Sequence, residues 1–144
     1  MHAGYLVIET NRSRPGIVRI LEAASLPAED RWGDQHREGP RVRYIARFND
    51  LSAGRMDAHR ALRRRLMDVE GGLYRCEPLD AVAAVEASHL PHRTAYLDPD
   101  LAEDPRLSKI AATRRRRHRL ADRIWRAIGV AAVLLLVLKL LFGF

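Results

Sequence analysis

Apolar positions in the first third of the chain fall in short runs and alternations that predict strands. Tyr5-Leu6-Val7-Ile8-Glu9 is one such run and Ile17-Val18-Arg19-Ile20-Leu21 is another. The polar stretch from Thr10 to Pro15-Gly16 between them reads as the loop of a β-hairpin. A short helix is expected over 25–32, followed by a polar loop over 33–40. From Arg41 to Phe48 the pattern alternates strictly. Val42, Tyr44, Ala46 and Phe48 take one face and Arg41, Arg43 and Arg47 the other, as in a half-exposed strand. The period then changes. Met56, His59, Leu62, Leu66 and Val69 recur every three or four residues, predicting a helix over 52–69 with an inward stripe, stopped by Gly71-Gly72. Leu73 to Cys76 reads as a short strand. Pro78 then opens a small amphipathic helix carrying Leu79, Val82, Ala83, Val85 and Glu86. The order β-β-α-β-α-β-α predicts an α/β (α+β) domain over residues 1–90 with a three- to four-stranded sheet. Residues 91–105, with three prolines and several acids, read as a linker.

The last pattern is continuous. Residues 127–144 contain one charge, Lys139, and 12 of these 18 residues are Ile, Val, Leu or Phe. Such a helix is about 27 Å long, close to the roughly 30 Å of a bilayer's hydrocarbon core. Its apolar side chains favour insertion by roughly 5 kcal/mol in total, against a cost of about 2.5–3.5 kcal/mol for a lysine at the bilayer centre. Lys139 lies near the end, where it can snorkel outward. A single transmembrane helix is therefore expected, preceded by a basic juxtamembrane helix over 106–126.

Charge sharpens this picture. Of the formal net charge of +7, residues 1–105 carry −2 (15 Arg against 17 Asp and Glu) and residues 106–144 carry +9 (10 Arg and Lys against Asp122). The excess therefore sits beside the apolar helix, as a topology signal before it is a nucleic-acid signal. Arg114, Arg115, Arg116, Arg117 and Arg119 all precede the span, and Trp125 stands where an interfacial aromatic anchors a helix. The expected protein is membrane-bound, single-pass and tail-anchored, with its N-terminal domain in the cytoplasm. The arginine run would contact anionic lipid head groups.

One cysteine, Cys76, rules out an intramolecular disulfide and a cysteine-pair zinc site within these residues. The chain lacks a glycine-rich phosphate loop, a His-Glu-x-x-His helix and a Gly-x-Ser-x-Gly elbow. His89 and His92 flank Pro91, which breaks any helix placing both on one face.

Gly4-Tyr5-Leu6-Val7-Ile8-Glu9 followed by Pro15-Gly16-Ile17-Val18-Arg19-Ile20 resembles the opening hairpin of the GIY-YIG nuclease superfamily, in particular its phage-derived DNA-binding branch. Arg31 resembles the family's helical arginine, His59 with Ala61-Leu62 its second-helix histidine, and Gly72-Leu73-Tyr74-Arg75 its closing strand. The resemblance covers residues 4–86. It implies Tyr5 as base for the attacking water and Arg31 as phosphate clamp, with His59 as a third catalytic residue and Mg or Mn as cofactor if nuclease activity is retained. Two departures bear on that activity. The family's glycine after the second strand is Leu21 here, and its metal-binding glutamate, four residues before the histidine, is Arg55. Hydrolysis of a phosphodiester with metal assistance needs a carboxylate to hold the cation, and an arginine repels it. No metal site or cofactor is expected without that carboxylate.

Each residue also has a structural reading: Tyr5 as a strand aromatic, His59 as a core histidine, Arg31 as a surface ion-pair partner. Arg41, Arg43, Arg47, Arg63 and Arg64 are candidates for a basic binding patch, or for a surface paired with the nearby acids. Three functions follow. One is a membrane-anchored, degenerate GIY-YIG-like domain binding nucleic acid, DNA included, or another ligand. A second is a membrane-tethered protein-interaction module. The third is an active metal-dependent endonuclease.

Overall fold

The computed structural model describes residues 2–33 and 39–143, so most of the loop expected over 33–40 lies outside the described residues. Strand β1 (Gly4–Asn11) pairs antiparallel with β2 (Ile17–Ala23), the hairpin read from the sequence. Strand β3 (Pro40–Phe48) lies on the other side of β1. The sheet is larger than the three to four strands expected. Adding β4 (Leu66–Asp68), β5 (Leu73–Arg75) and β6 (His92–Leu97) gives six antiparallel strands in the order β4-β5-β2-β1-β3-β6.

Helices α1 (Leu51–Leu62) and α2 (Pro78–Glu86) cover one face of this sheet. Leu6, Ile8, Val18, Ile20, Tyr44, Phe48, Leu51, Leu62, Val82 and Val85 form the main core there. A smaller cluster on the opposite face joins Val7, Val42 and Ile45 to Tyr5, Trp32 and Tyr96. Val42 changes sides relative to the alternation read from the sequence. The pairing of β3 with β1 slips by one residue between Ile8 and Glu9, and an extra residue in one strand reverses every side chain beyond it.

Helix α1 starts at Asp50, whose carboxylate accepts a hydrogen bond from Ala53 N at 3.2 Å. It ends earlier than its periodicity suggests. Arg63–Arg65 form a 3-10 turn and Leu66 opens β4, which pairs with β5 through Leu66–Tyr74 and Asp68–Leu73. Sheet pairing overrides the three-to-four spacing of Leu66 and Val69, and Met56, expected inward, is 72 % exposed. The buried stripe is instead Leu51, Gly54, Ala58 and Leu62. Gly54 lets α1 approach β3 closely, because a Cβ there would stand 2.7 Å from the Phe48 ring. Residues 25–32 hold only a 3-10 turn, Glu29–Arg31, and not the expected helix.

The expected linker over 91–105 is folded. It contains β6, the edge strand paired with β3, and the short helix α3 (Pro99–Ala102). From Pro105 a single helix, α4 (Pro105–Phe142), runs for 38 residues, about 57 Å. Its first turns belong to the domain: Leu107 and Ile110 pack on the core and Ala111 is buried. Its second half is exposed and apolar, and α4 is the helix among the described residues long and apolar enough to cross a membrane. The basic helix and the span read separately from the sequence are thus one element.

The β4–β5 turn is held by the Asp68 carboxylate, which accepts from Glu70 N at 3.1 Å and Gly71 N at 3.2 Å. Gly72 follows with φ +62°, and a Cβ there would collide with the Ile20 carbonyl oxygen. Gly72→Ala is expected to destabilise the fold by about 1–3 kcal/mol. Urea denaturation of the detergent-solubilised chain, followed by circular dichroism, measures this against the wild type, and Gly16→Ala, at φ +77° in open space, separates the backbone strain from the collision.

Candidate functional site

The three residues picked out by the hairpin resemblance do not converge. Tyr5 alternates with Leu6 along β1 and packs with the smaller cluster, on the face away from the helices. Arg31 ends the 3-10 turn beside Trp32 on that same face, where its charge acts on Glu9. His59 lies on α1, across the sheet from both.

His59 does belong to a site of its own. Its Nδ1 is 3.1 Å from the Tyr74 hydroxyl, with the rings edge to face at 6.3 Å. The pair stands in a groove of about 720 Å³ running from β2 and the β4–β5 turn to α1, with Ile20, Val69 and Met56 as apolar lining. Arg55 enters the same groove one helical turn before His59, with Nη1 3.6 Å from the Glu22 carboxylate. Burial raises the Tyr74 pKa, and the nearby Arg55 only partly opposes it, so the phenol stays protonated at neutral pH. The groove therefore offers an imidazole–phenol pair, the guanidiniums of Arg55 and Arg60, the carboxylates of Glu22 and Asp57, a second imidazole at His89 and an apolar wall. This set suits binding of a partly apolar ligand with a polar end. It offers no carboxylate pair free to hold a cation, and no group of three His, Cys, Asp or Glu suited to a metal occurs among the described residues.

The arginines proposed as a binding patch are divided. Arg41 and Arg43 turn toward Asp98, a carboxylate only 1 % exposed, at 2.8 Å and 3.3 Å. Arg41 also reaches Asp100 at 3.0 Å. These two guanidiniums neutralise a buried acid, which would be strongly destabilising alone. Arg47 is exposed on β3, while Arg63 and Arg64 lie in the 3-10 turn after α1. The five do not form one face. Sequence reasoning missed Asp98 because it fell in the supposed linker. Its position at the N-cap of α3, two residues before another acid and one before a proline, was the available signal.

Cys76 is buried, and burial pushes its thiol up to about 11, so it is not a thiolate nucleophile at neutral pH. Among known proteins, no family model matches the chain, and no curated protein or solved structure resembles it at a significant level. The site is accordingly defined by its own geometry.

Glu9 is the other buried acid among the described residues, 6 % exposed on β1 opposite Arg19. Burial raises its pKa, and Arg31 and Arg19 oppose that rise without cancelling it. A carboxyl whose folded pKa lies above its unfolded value stabilises the fold only while protonated. Its contribution is complete below the unfolded pKa and is lost as pH rises through the folded one. Glu9→Gln should therefore gain stability over the wild type as pH rises from about 4 to 7, where the glutamate of an unfolded chain titrates near 4.3. Denaturation midpoints across that range provide the check, and a constant difference between the two proteins would count against it.

Proposed function

We propose that this protein is a membrane-anchored binding module: an α+β domain of GIY-YIG-like ancestry that has lost nuclease chemistry and recognises a ligand in the His59–Tyr74 groove. The observation that carries this reading is Arg55. At the position where a nuclease of that family would hold its cation stands a guanidinium, close to Glu22 and one turn from His59. A fixed positive charge there repels a divalent cation. Separation of Tyr5 and His59 by the thickness of the sheet supports the same reading, since hydrolysis needs its base and its electrophilic groups around one phosphate.

Nucleic acid is the less favoured ligand. The strand arginines are turned against Asp98, and the domain's own charge is slightly negative. A groove whose apolar wall stands beside side chains of both signs, Glu22 and Asp57 with Arg55 and Arg60, fits a small amphiphile or a peptide side chain better than a polyanion. The basic flank of α4 supports a cytoplasmic placement of the domain, with the apolar half of the helix crossing the bilayer.

The test uses the full chain in phosphatidylcholine nanodiscs. With Mg or Mn present, no cleavage of plasmid DNA is expected from the wild type or from Tyr5→Phe. Metal-dependent cleavage that Tyr5→Phe abolishes would overturn the non-catalytic assignment. Protease added to sealed inverted membrane vesicles should digest the domain. Its protection there would reverse the orientation.

A further inference from the structure

Two grooves meet where α4 leaves the domain. Between the end of α1, at Ala61, and α4 lies a second groove of about 530 Å³, whose polar lining is Lys109, Thr113, Arg114, Arg117 and His118. No acidic side chain is among the described residues that line it. The His118 ring stands 6.5 Å from that of His89, tilted by 48°. His89 lines the His59–Tyr74 groove, so the two imidazoles mark the point where one groove runs into the other. The turn that carries His89 is fixed. Ser88 Oγ donates to the Asp57 carboxylate on α1 at 2.6 Å and accepts from Leu90 N at 3.2 Å. The junction is thus built from α1, the turn after α2, and α4.

The two ends of this trough differ in chemistry. The first has the rings of His59, Tyr74 and His89 beside Met56 and Val69, together with the carboxylates of Glu22 and Asp57. Rings and apolar side chains suit a planar, partly apolar body, and the carboxylates can accept from its hydroxyl or amino groups. The second end holds three fixed positive charges and an imidazole. Lipid head groups of a bilayer entered at Trp125 fall short of them. Lys109 and His118 are 16 and seven residues before Trp125, about 24 and 10 Å of helix. The polar headgroup layer of a leaflet is only about 5–7 Å thick. Anions that meet these side chains therefore come from solution. Guanidiniums bind phosphate oxygens through paired hydrogen bonds, and lysine adds a point charge.

We propose that the two grooves form one binding trough and that its ligand is a soluble mononucleotide carrying at least two phosphates. The base lies against the rings at the His59–Tyr74 end, where stacking tolerates any base. The ribose hydroxyls lie by Asp57 and the His89–His118 junction, and the phosphates meet Lys109, Arg114 and Arg117. The inference rests on the His59–Tyr74 groove being a ligand site and gives that ligand a chemical class. Neither end suffices alone. An uncharged body leaves the guanidiniums unused, and a bare phosphate leaves the rings unused. No divalent cation is needed, because the arginines supply the countercharge.

The experiment titrates the full chain, in phosphatidylcholine nanodiscs with EDTA, with ADP, GDP, UDP, adenosine and inorganic pyrophosphate, followed by calorimetry. The expected result is saturable binding of a nucleoside diphosphate, about tenfold or more tighter than either adenosine or pyrophosphate. Met56→Glu, at a position 72 % exposed, and Arg114→Gln with Arg117→Gln should each weaken it about tenfold. Arg116→Gln with Arg119→Gln removes the same charge outside both grooves and should change it less than about twofold. Equal losses in the two arginine pairs would reduce the effect to diffuse charge and overturn the trough. Pyrophosphate binding as tightly as the diphosphates would overturn it too. Adenosine binding as tightly, and weakened by Met56→Glu alone, would keep the His59–Tyr74 groove as a ligand site and overturn its union with the basic one. No saturable binding of any of the three diphosphates overturns the nucleotide, whereas loss of the non-catalytic reading shows separately, as metal-dependent cleavage of DNA. The comparison among ligands uses the wild-type chain and stands whether or not a variant folds.

Discussion

Everything in this protein depends on how a membrane-competent helix is joined to a folded domain, and that joint is built around Glu86. The last residue of α2, Glu86 accepts a hydrogen bond from the buried Tyr44 hydroxyl at 2.6 Å and another from Thr94 at 2.7 Å. Its backbone carbonyl, one of the unsatisfied acceptors at a helix end, receives the Arg115 guanidinium from α4. One residue therefore ties β3, the edge strand β6 and the long helix together. A cation at the negative end of α2 is also favoured by the helix dipole. Burial and the neighbouring Glu86 both raise the Tyr44 pKa, so the phenol is a donor at neutral pH. Together with Leu107, Ile110 and Ala111 this makes the start of α4 part of the core. A domain cut at residue 105 would expose the apolar surface that these residues cover.

Much of this was legible in the sequence wherever one period ran without interruption. The hairpin of β1 and β2, the strand before α1, and α2 behind its proline all follow from local pattern and turn chemistry. The apolar half of α4 does too. The failures have a shared cause: a long-range pairing or packing contact overrode a local signal. Leu66 and Val69 continue the spacing of α1, yet the β4–β5 pairing takes Leu66 into the sheet. Residues 92–97 look like a proline-flanked linker, but β3 offers an open edge, and Tyr96 finds the Trp32 ring at 4.8 Å. A register slip that moves Val42 to the far face cannot be seen in an alternation, because the alternation itself is intact.

The sites divide along the same line. Residue identities in the hairpin carried the family resemblance, and Arg55 could be placed relative to His59 by counting along a helix. What counting could not supply was the sheet between Tyr5 and His59, or the phenol of Tyr74 beside the imidazole. Charge was the least transferable signal. Five arginines in two short segments look like a surface patch. Arg41 and Arg43 are instead bound to Asp98, a partner more than fifty residues away in sequence. An ion pair of this kind contributes little net stability, but it fixes where α3 begins and so where α4 is launched.

Rigid coupling gives the anchor a second consequence. A flexible linker would let the domain tumble above the bilayer and average over every face. With α4 unbroken from Pro105 through Phe142 and fixed to α2 by Arg115, rotation and tilt of that helix in any bilayer it crossed would set the orientation of the whole domain. The faces presented to such a surface would be determined by packing at residues 107–115. His89, in the lining of the His59–Tyr74 groove, stands with its ring 6.5 Å from that of His118 on α4. A change in that groove can therefore reach α4 through this ring contact as well as through the packing of α2 against α4, and Glu86 lies on the second route.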